Sequence, residues 1–260
     1  MSILDEIVIA REKRVAADKL ATPLADLVAN LPDRHLPAFA FEEALKEPDM
    51  SFICEVKKAS PSKGLIAEDF PYVDIAKDYQ AAGVTALSVL TEEDYFKGAN
   101  QYLKEISQAV AIPILRKDFI IDPYQIYQAR AIGADAILLI CAILTQDQLV
   151  EYINLANELG LSVLTEAHDA DEIAMAIEAG SRIIGVNNRN LHNFEVDFQN
   201  SIRLRNLTPD DTVFIAESGV KTAADIQLLH ENRVDAVLIG ESMMLAKDKK
   251  AKLNELKGAL

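Results

Sequence analysis

Apolar and polar positions follow two periods along the chain, and the switch between them recurs. The chain starts with the helical period. Ile3, Leu4, Ile7 and Val8 share a face behind Ser2 and Asp5, spaced as in an N-terminal cap, which predicts an amphipathic helix over the first twenty residues. Thr22-Pro23 has the composition of a cap residue and an N1 proline ahead of Leu24, Leu27, Val28 and Leu31, with Pro32 as the stop. After a loop around His35 and Pro37, Phe41 to Lys46 predicts one or two further helical turns before Pro48.

From Ser51 onward one unit repeats: an apolar, often β-branched run, a polar residue at its end, a loop, and a helix-period segment. Eight such runs are centred on Ile53, Ser88, Ile114, Leu138, Val163, Ile184, Phe214 and Leu238. Gly83, Gly133, Gly160 and Gly180 each stand just before the next run, where a left-handed helix C-cap is needed. Eight strand-helix units predict a (β/α)8 TIM barrel over 51–260, with residues 1–50 as a helical extension packed on it, one structural domain in all. A doubly wound open sheet is the alternative, but neither GxGxxG nor GxxxxGK[ST] occurs. Lys247 to Lys257 reads as a last helix with Gly258 past its end, and no second catalytic domain is expected.

In a barrel of this kind the chemistry gathers at the carboxyl ends of the strands. The first run ends in Glu55-Val56-Lys57, placing a carboxylate and an ammonium on one face while Cys54 and Val56 take the other. Later runs end in Thr91-Glu92-Glu93, Arg116-Lys117-Asp118, Glu166, Asn187-Asn188-Arg189, Glu217-Ser218-Gly219 and Gly240-Glu241-Ser242. Parity sends Lys117, Glu166, Asn187 and Arg189 into the mouth and leaves Lys58, Arg116 and Asn188 facing outward, as solvated or supporting polar groups. Small residues and donors after the last two runs suit a phosphate. Two lysines and at least two glutamates in one mouth supply an acid and a base, with neighbouring cations expected to loosen a lysine proton. The loop Ser60 to Gly64 has the composition either of a lid or of an ordinary connection.

With 26 Lys and Arg against 41 Asp and Glu, the net charge of −15 argues against a nucleic-acid or membrane partner. Only Cys54 and Cys141 occur, both inside apolar runs, and the N-terminus has no uninterrupted signal-like stretch, so a cytoplasmic protein is expected. His35, His168, His192 and His230 lack ligand spacing and read as surface or core polar residues; no metal is expected. No surface apolar stripe is evident, which favours a monomer.

EVKKASPSKG, LSVLTEEDYFKG, ILRKDFIIDPYQI, GADAILLI, LTEAH, IIGVNNRNL, IAESGV and LIGES, in that order, resemble the indole-3-glycerol-phosphate synthase family. The resemblance runs from Glu55 to about Met244, and the helical extension is also a family feature. It implies a cofactor-free step of tryptophan biosynthesis, in which 1-(2-carboxyphenylamino)-1-deoxyribulose 5-phosphate closes to indole-3-glycerol phosphate with loss of CO2 and water. By the same resemblance Lys117 is the principal general acid and Glu166 its partner in dehydration. Lys57, with Ser60, holds the departing carboxylate; Glu55 and Asn187 orient the reacting groups; Glu217 and Ser218 complete the catalytic set. Arg189 lies near substrate, and Phe96, Phe119, Leu138 and Leu191 enclose the aromatic ring. Gly219, Gly240, Glu241 and Ser242 take the phosphate, Glu241 through its backbone with its side chain turned away. The rival readings are another phosphosugar barrel enzyme, an isomerase or a Schiff-base aldolase, and a non-catalytic barrel that binds a phosphorylated ligand.

Overall fold

The computed structural model describes residues 2–47, 49–189 and 195–258. Eight parallel strands close into a barrel: β1 (Ser51–Val56), β2 (Ala86–Leu90), β3 (Ile114–Lys117), β4 (Ala136–Ile140), β5 (Ser162–Ala167), β6 (Ile183–Asn187), β7 (Val213–Glu217) and β8 (Ala236–Ile239). Each pairs with its sequence neighbour, and β1 pairs with β8 through Ser51↔Ala236 to Cys54↔Ile239, which closes the ring. Every expected run centre lies in one of these strands. Gly83, Gly133, Gly160 and Gly180 all adopt positive φ, between 69° and 90°, as the helix C-cap reading requires.

The strands alternate as a two-sided sheet must. Phe52, Cys54 and Val56 of β1 face the outer helices, in a layer with Leu87, Val89, Ile137, Leu139, Phe214 and Val237. Ile53 faces the barrel axis with Leu115, Leu138, Leu164, Ile183, Ile215 and Leu238. The axis is thus filled with branched side chains below, and the charged residues sit above them.

The N-terminal segment reaches both ends of this axis. Helix α1 (Ile3–Ala21) begins with the expected capping box of Ser2 and Asp5, and its Leu4 and Ile7 join the inner cluster. Helix α2 (Leu24–Ala29) differs from expectation: Pro23 itself is the cap residue, and no side chain caps the helix. Helix α3 (Ala40–Ala44) sends Phe41 into the same inner cluster, followed by Leu45. The Phe39 N–H donates to the Gly160 carbonyl and the Glu42 N–H to Ser162 Oγ, so α3 sits at the amino ends of the strands. Arg11 of α1 reaches Asp118 after β3, and Leu4 and Ile7 line the opposite opening.

Arg116 and Asn188 do face outward, yet neither is solvated. Arg116 is fully buried and donates to Thr91, Asn100, Asp118, Gln128 and the Gln125 carbonyl. Asp118 lies between Arg116 and Arg11, at 3.0 and 3.2 Å. The gap between sheet and helices is dry enough that a guanidinium there must be satisfied by protein groups. Leu20, Leu24 and Val28 stay exposed on α1 and α2, local apolar exposure that the sequence reading did not mark. No described helix is long and apolar enough to cross a membrane.

Candidate active site

Strand register brings the charged ends to one level. Asn187 pairs with Glu217 and Glu166 with Gly185, while Lys117 stands beside Leu90 of β2. All share the inward parity of Glu55 and Lys57, and they surround one cavity of about 540 Å3 at the carboxyl ends of the strands. Lys117 Nζ lies 2.7 Å from Glu217 Oε2 and 3.2 Å from Glu166 Oε2. Lys57 Nζ is 2.5 Å from Glu55 Oε1, whose other oxygen accepts from Ser88 at 3.3 Å. Asn187 Nδ2 donates to Glu166 Oε1 at 3.5 Å, and Asn187 Oδ1 accepts the Arg189 N–H.

The charges set one another. Burial disfavours the Lys117 ammonium, but Glu217, Glu166 and Glu55 outweigh it and hold the lysine well above its ordinary range. This reverses the expectation of a loosened proton: the nearest groups are anions. Burial would raise Glu166, yet Lys117 and His168 hold its carboxyl well below the usual carboxylate range. Glu217 goes the other way: burial drives it up, Lys117 pulls it down, and Glu166 and Glu55 push again, leaving it at about 7. Two carboxylates on one ammonium thus separate into a firmly ionised and a readily protonated one.

Glycines make room for this arrangement. A Cβ at Gly185 would lie 2.6 Å from Glu217 Oε1, and one at Gly240 would lie 2.8 Å from Glu55 Oε1 and 2.9 Å from Lys57 Nζ. Beyond β7 the chain turns through two left-handed residues, Ser218 at φ 64° and Gly219 at φ 90°. For Ser218 that conformation costs roughly 1–2 kcal/mol. Asn188, from outside the barrel, donates to the Ser218 carbonyl at 3.1 Å and helps to hold the turn.

Beyond β8, Gly240 precedes the short helix Glu241–Leu245. The Glu241 carboxylate turns to Lys63, 3.3 Å away on the loop after β1. That loop is a small hairpin, Ala59–Ser60 against Gly64–Leu65. The aromatic side of the cavity is Phe96 and Phe119, with ring centroids 6.0 Å apart. Buried Glu92 fixes Phe96 by accepting the N–H groups of Asp94, Tyr95 and Phe96.

Of the expected site residues, Glu55, Lys57, Ser60, Phe96, Lys117, Phe119, Leu138, Glu166, Asn187, Arg189, Glu217, Ser218, Gly219, Gly240, Glu241 and Ser242 all line this one cavity. Leu191 lies outside the described residues. Ile3, Leu4 and Ile7 of α1, Lys63 and Lys221 also line it and were not foreseen. His168 is more than the surface or core polar residue its spacing suggests: its Nε2 stands 3.3 Å from Glu166 Oε1. Its parity with Glu166, two positions apart, was the available signal.

A family model described as indole-3-glycerol phosphate synthase matches residues 4–256. The chain belongs to this family. Within the indole-3-glycerol phosphate synthase family, a protein of that name from Ruminiclostridium cellulolyticum is 62% identical over 221 residues, 85% of either chain. Another, from Endomicrobium trichonymphae, is 52% identical over 256 residues, 98% of this chain and 99% of the relative. Among solved structures, 3-hexulose-6-phosphate synthase from Salmonella typhimurium superposes with a TM-score of 0.66 at 15% identity, covering 81% of this chain and 98% of that one. The last likeness is one of fold alone.

Proposed function

We propose that the chain converts 1-(2-carboxyphenylamino)-1-deoxyribulose 5-phosphate to indole-3-glycerol phosphate, CO2 and water, as the names of its relatives imply. The observation that carries this reading is Lys117, an ammonium fixed between two carboxylates of opposite proton affinity in a cavity with an aromatic wall. The chemistry needs such a group. As the ring carbon bearing the carboxylate attacks the ketone carbon, the carbonyl π pair moves to oxygen, and Lys117 donates the proton that oxygen takes. The ring–carboxylate bond then breaks, its electron pair restores the aromatic ring, and CO2 leaves. The new hydroxyl takes a second proton from a lysine ammonium of the mouth, Lys57 or Lys117, and leaves as water, while a proton from the adjacent CH2 passes to Glu166 and the last double bond of the indole forms.

The remaining roles are those the family resemblance implies, and the shared cavity supports them. Lys57, with Ser60, faces the carboxylate before it leaves, and Glu55 and Asn187 orient Lys57 and Glu166. Glu217 shares Lys117 with Glu166, and the Ser218 turn shapes the rim beside it. Phe96, Phe119 and Leu138 flank the anthranilate ring, and Arg189 lies beside the sugar. The phosphate takes the backbone N–H groups of Gly219, Gly240, Glu241 and Ser242. The Lys63 ammonium, already close to Glu241, offsets the carboxylate that this chain carries there.

The test is direct: the folded protein is mixed with the carboxyphenylamino-deoxyribulose phosphate and the fluorescence of the indole product is followed. Turnover without added cofactor is expected. Its absence would overturn the reading.

A further inference from the structure

His168 is a titratable side chain that touches the reacting set without lining the cavity. It stands one residue beyond β5 and shares parity with Glu166. Its Nε2 is 3.3 Å from Glu166 Oε1 and its Nδ1 is 3.1 Å from Glu172 Oε2, on the helix Ala170–Glu178. The same Glu172 oxygen accepts the His168 N–H at 2.7 Å, and Asn200 Nδ2 donates to the His168 carbonyl at 3.0 Å. The ring is therefore held between two carboxylates, with its backbone pinned at both the N–H and the carbonyl.

A neutral imidazole has one N–H and can donate to only one of its two neighbours; the imidazolium donates to both. The Nε2 contact falls outside hydrogen-bond alignment, so it depends on charge more than on a directed bond. Among the described residues, several other charged or titratable groups face the pair, and Glu217, which shares Lys117 with Glu166, is one of them. Asp169 caps the helix beside it, and Lys117 reaches Glu166 from β3. The Cys141 thiol, on the turn after β4, is pushed up to about 12 by burial and by Glu172 and stays neutral. Burial disfavours the imidazolium, but Glu166 and Glu172 outweigh it and raise His168 to about 10.

We propose that His168 is a positioning residue: as an imidazolium buttressed by Glu172, it keeps the Glu166 carboxylate ionised and aimed into the mouth. The proposal rests on the reading of Glu166 as the proton acceptor in dehydration. It gives Glu166 two cations, Lys117 on one oxygen and His168 on the other, so the base remains charged after Lys117 has given up its proton.

The test is the pH profile of kcat in the full chain for the parent, His168→Gln and Glu172→Gln. Removing an opposite charge at this distance raises a carboxyl pKa by about one to three units, so the acid limb of kcat in His168→Gln should move up by about that much. KM should hold, because His168 does not line the cavity. Glu172→Gln should shift the limb in the same direction by less, and it serves if His168→Gln folds poorly. Nitrogen-15 spectra supply a readout independent of turnover: the imidazole signal lost in His168→Gln should remain that of the imidazolium at pH 8 in the parent. A limb unmoved in both variants, or an imidazole that titrates near the ordinary value of about 6.5, would overturn the proposal. Full turnover by Glu166→Gln would instead overturn the underlying role of Glu166, and the nitrogen spectra would still decide the ion pair.

Discussion

Gly240→Ala separates activity from stability at a single methyl group. The backbone there has φ −107° and ψ −80°, on the negative-φ side, so the substitution brings no left-handed strain. The new Cβ would stand 2.8 Å from Glu55 Oε1 and 2.9 Å from Lys57 Nζ, whereas ordinary contact begins at 3.4 Å. The carboxylate and the ammonium must therefore retreat by about 0.6 Å, the shortfall against that limit. Both atoms are the far ends of side chains, so the fold can yield; the expected cost is below about 1 kcal/mol, or some 2–4 °C in Tm for a domain of this size. Catalysis cannot yield as easily. A misplacement of about 1 Å costs on the order of a hundredfold, and roughly half that displacement should cost about tenfold in kcat/KM. Steady-state assays by indole fluorescence, beside thermal melts of both proteins, decide the matter. An unchanged kcat/KM would show that the Glu55–Lys57 pair is not held where the reaction needs it. A melt lowered by more than about 10 °C would mean that the glycine serves the fold.

Lys117→Ala should abolish turnover while sparing binding of the indole product, measured by equilibrium titration; parallel loss of both would make Lys117 an anchor and not an acid. Glu217 ionises at about 7, above its unfolded value, so its contribution to stability is present in acid and is lost as pH rises through about 7. Glu217→Gln removes that loss: the Tm difference between variant and parent should move in the variant's favour from pH 5 to pH 8, and a constant difference would contradict the raised pKa. Asp118→Ala leaves the buried Arg116 and Arg11 without their shared counter-ion and should cost about 3–5 kcal/mol in urea unfolding, against a negligible change if the cluster were solvated.

The barrel was legible because its signals are local and repeated. Each apolar run is a strand, and parity alone assigned Lys117, Glu166, Asn187 and Arg189 to the inside. What parity leaves open is the medium on the other side. Arg116 faces outward as expected, but only the packed helices decide that outward means dry, and thereby make it part of a buried ion cluster. The proton affinity of Lys117 was misjudged for a similar reason: the lysines of a mouth can be counted from sequence, whereas the distances to Glu166 and Glu217 that overrule them belong to strands 49 and 100 residues away. The same holds for Gly185 and Gly240, whose neighbours arrive from other strands. His168 carried a usable signal, shared parity with Glu166 and a four-residue step to Glu172, but it has no ligand spacing to draw attention.

The two ends of the barrel axis are stoppered by residues that a ribosome makes before any strand of the barrel. Leu4 and Ile7 occupy one opening and Phe41 and Leu45 pack toward the other, yet the interior they join is complete only when Ser51 to Cys54 pair with Ala236 to Ile239. These apolar side chains thus wait for the eighth strand before the interior they join is closed. A chain stopped before β8 leaves the facing edges of β1 and β7 unpaired.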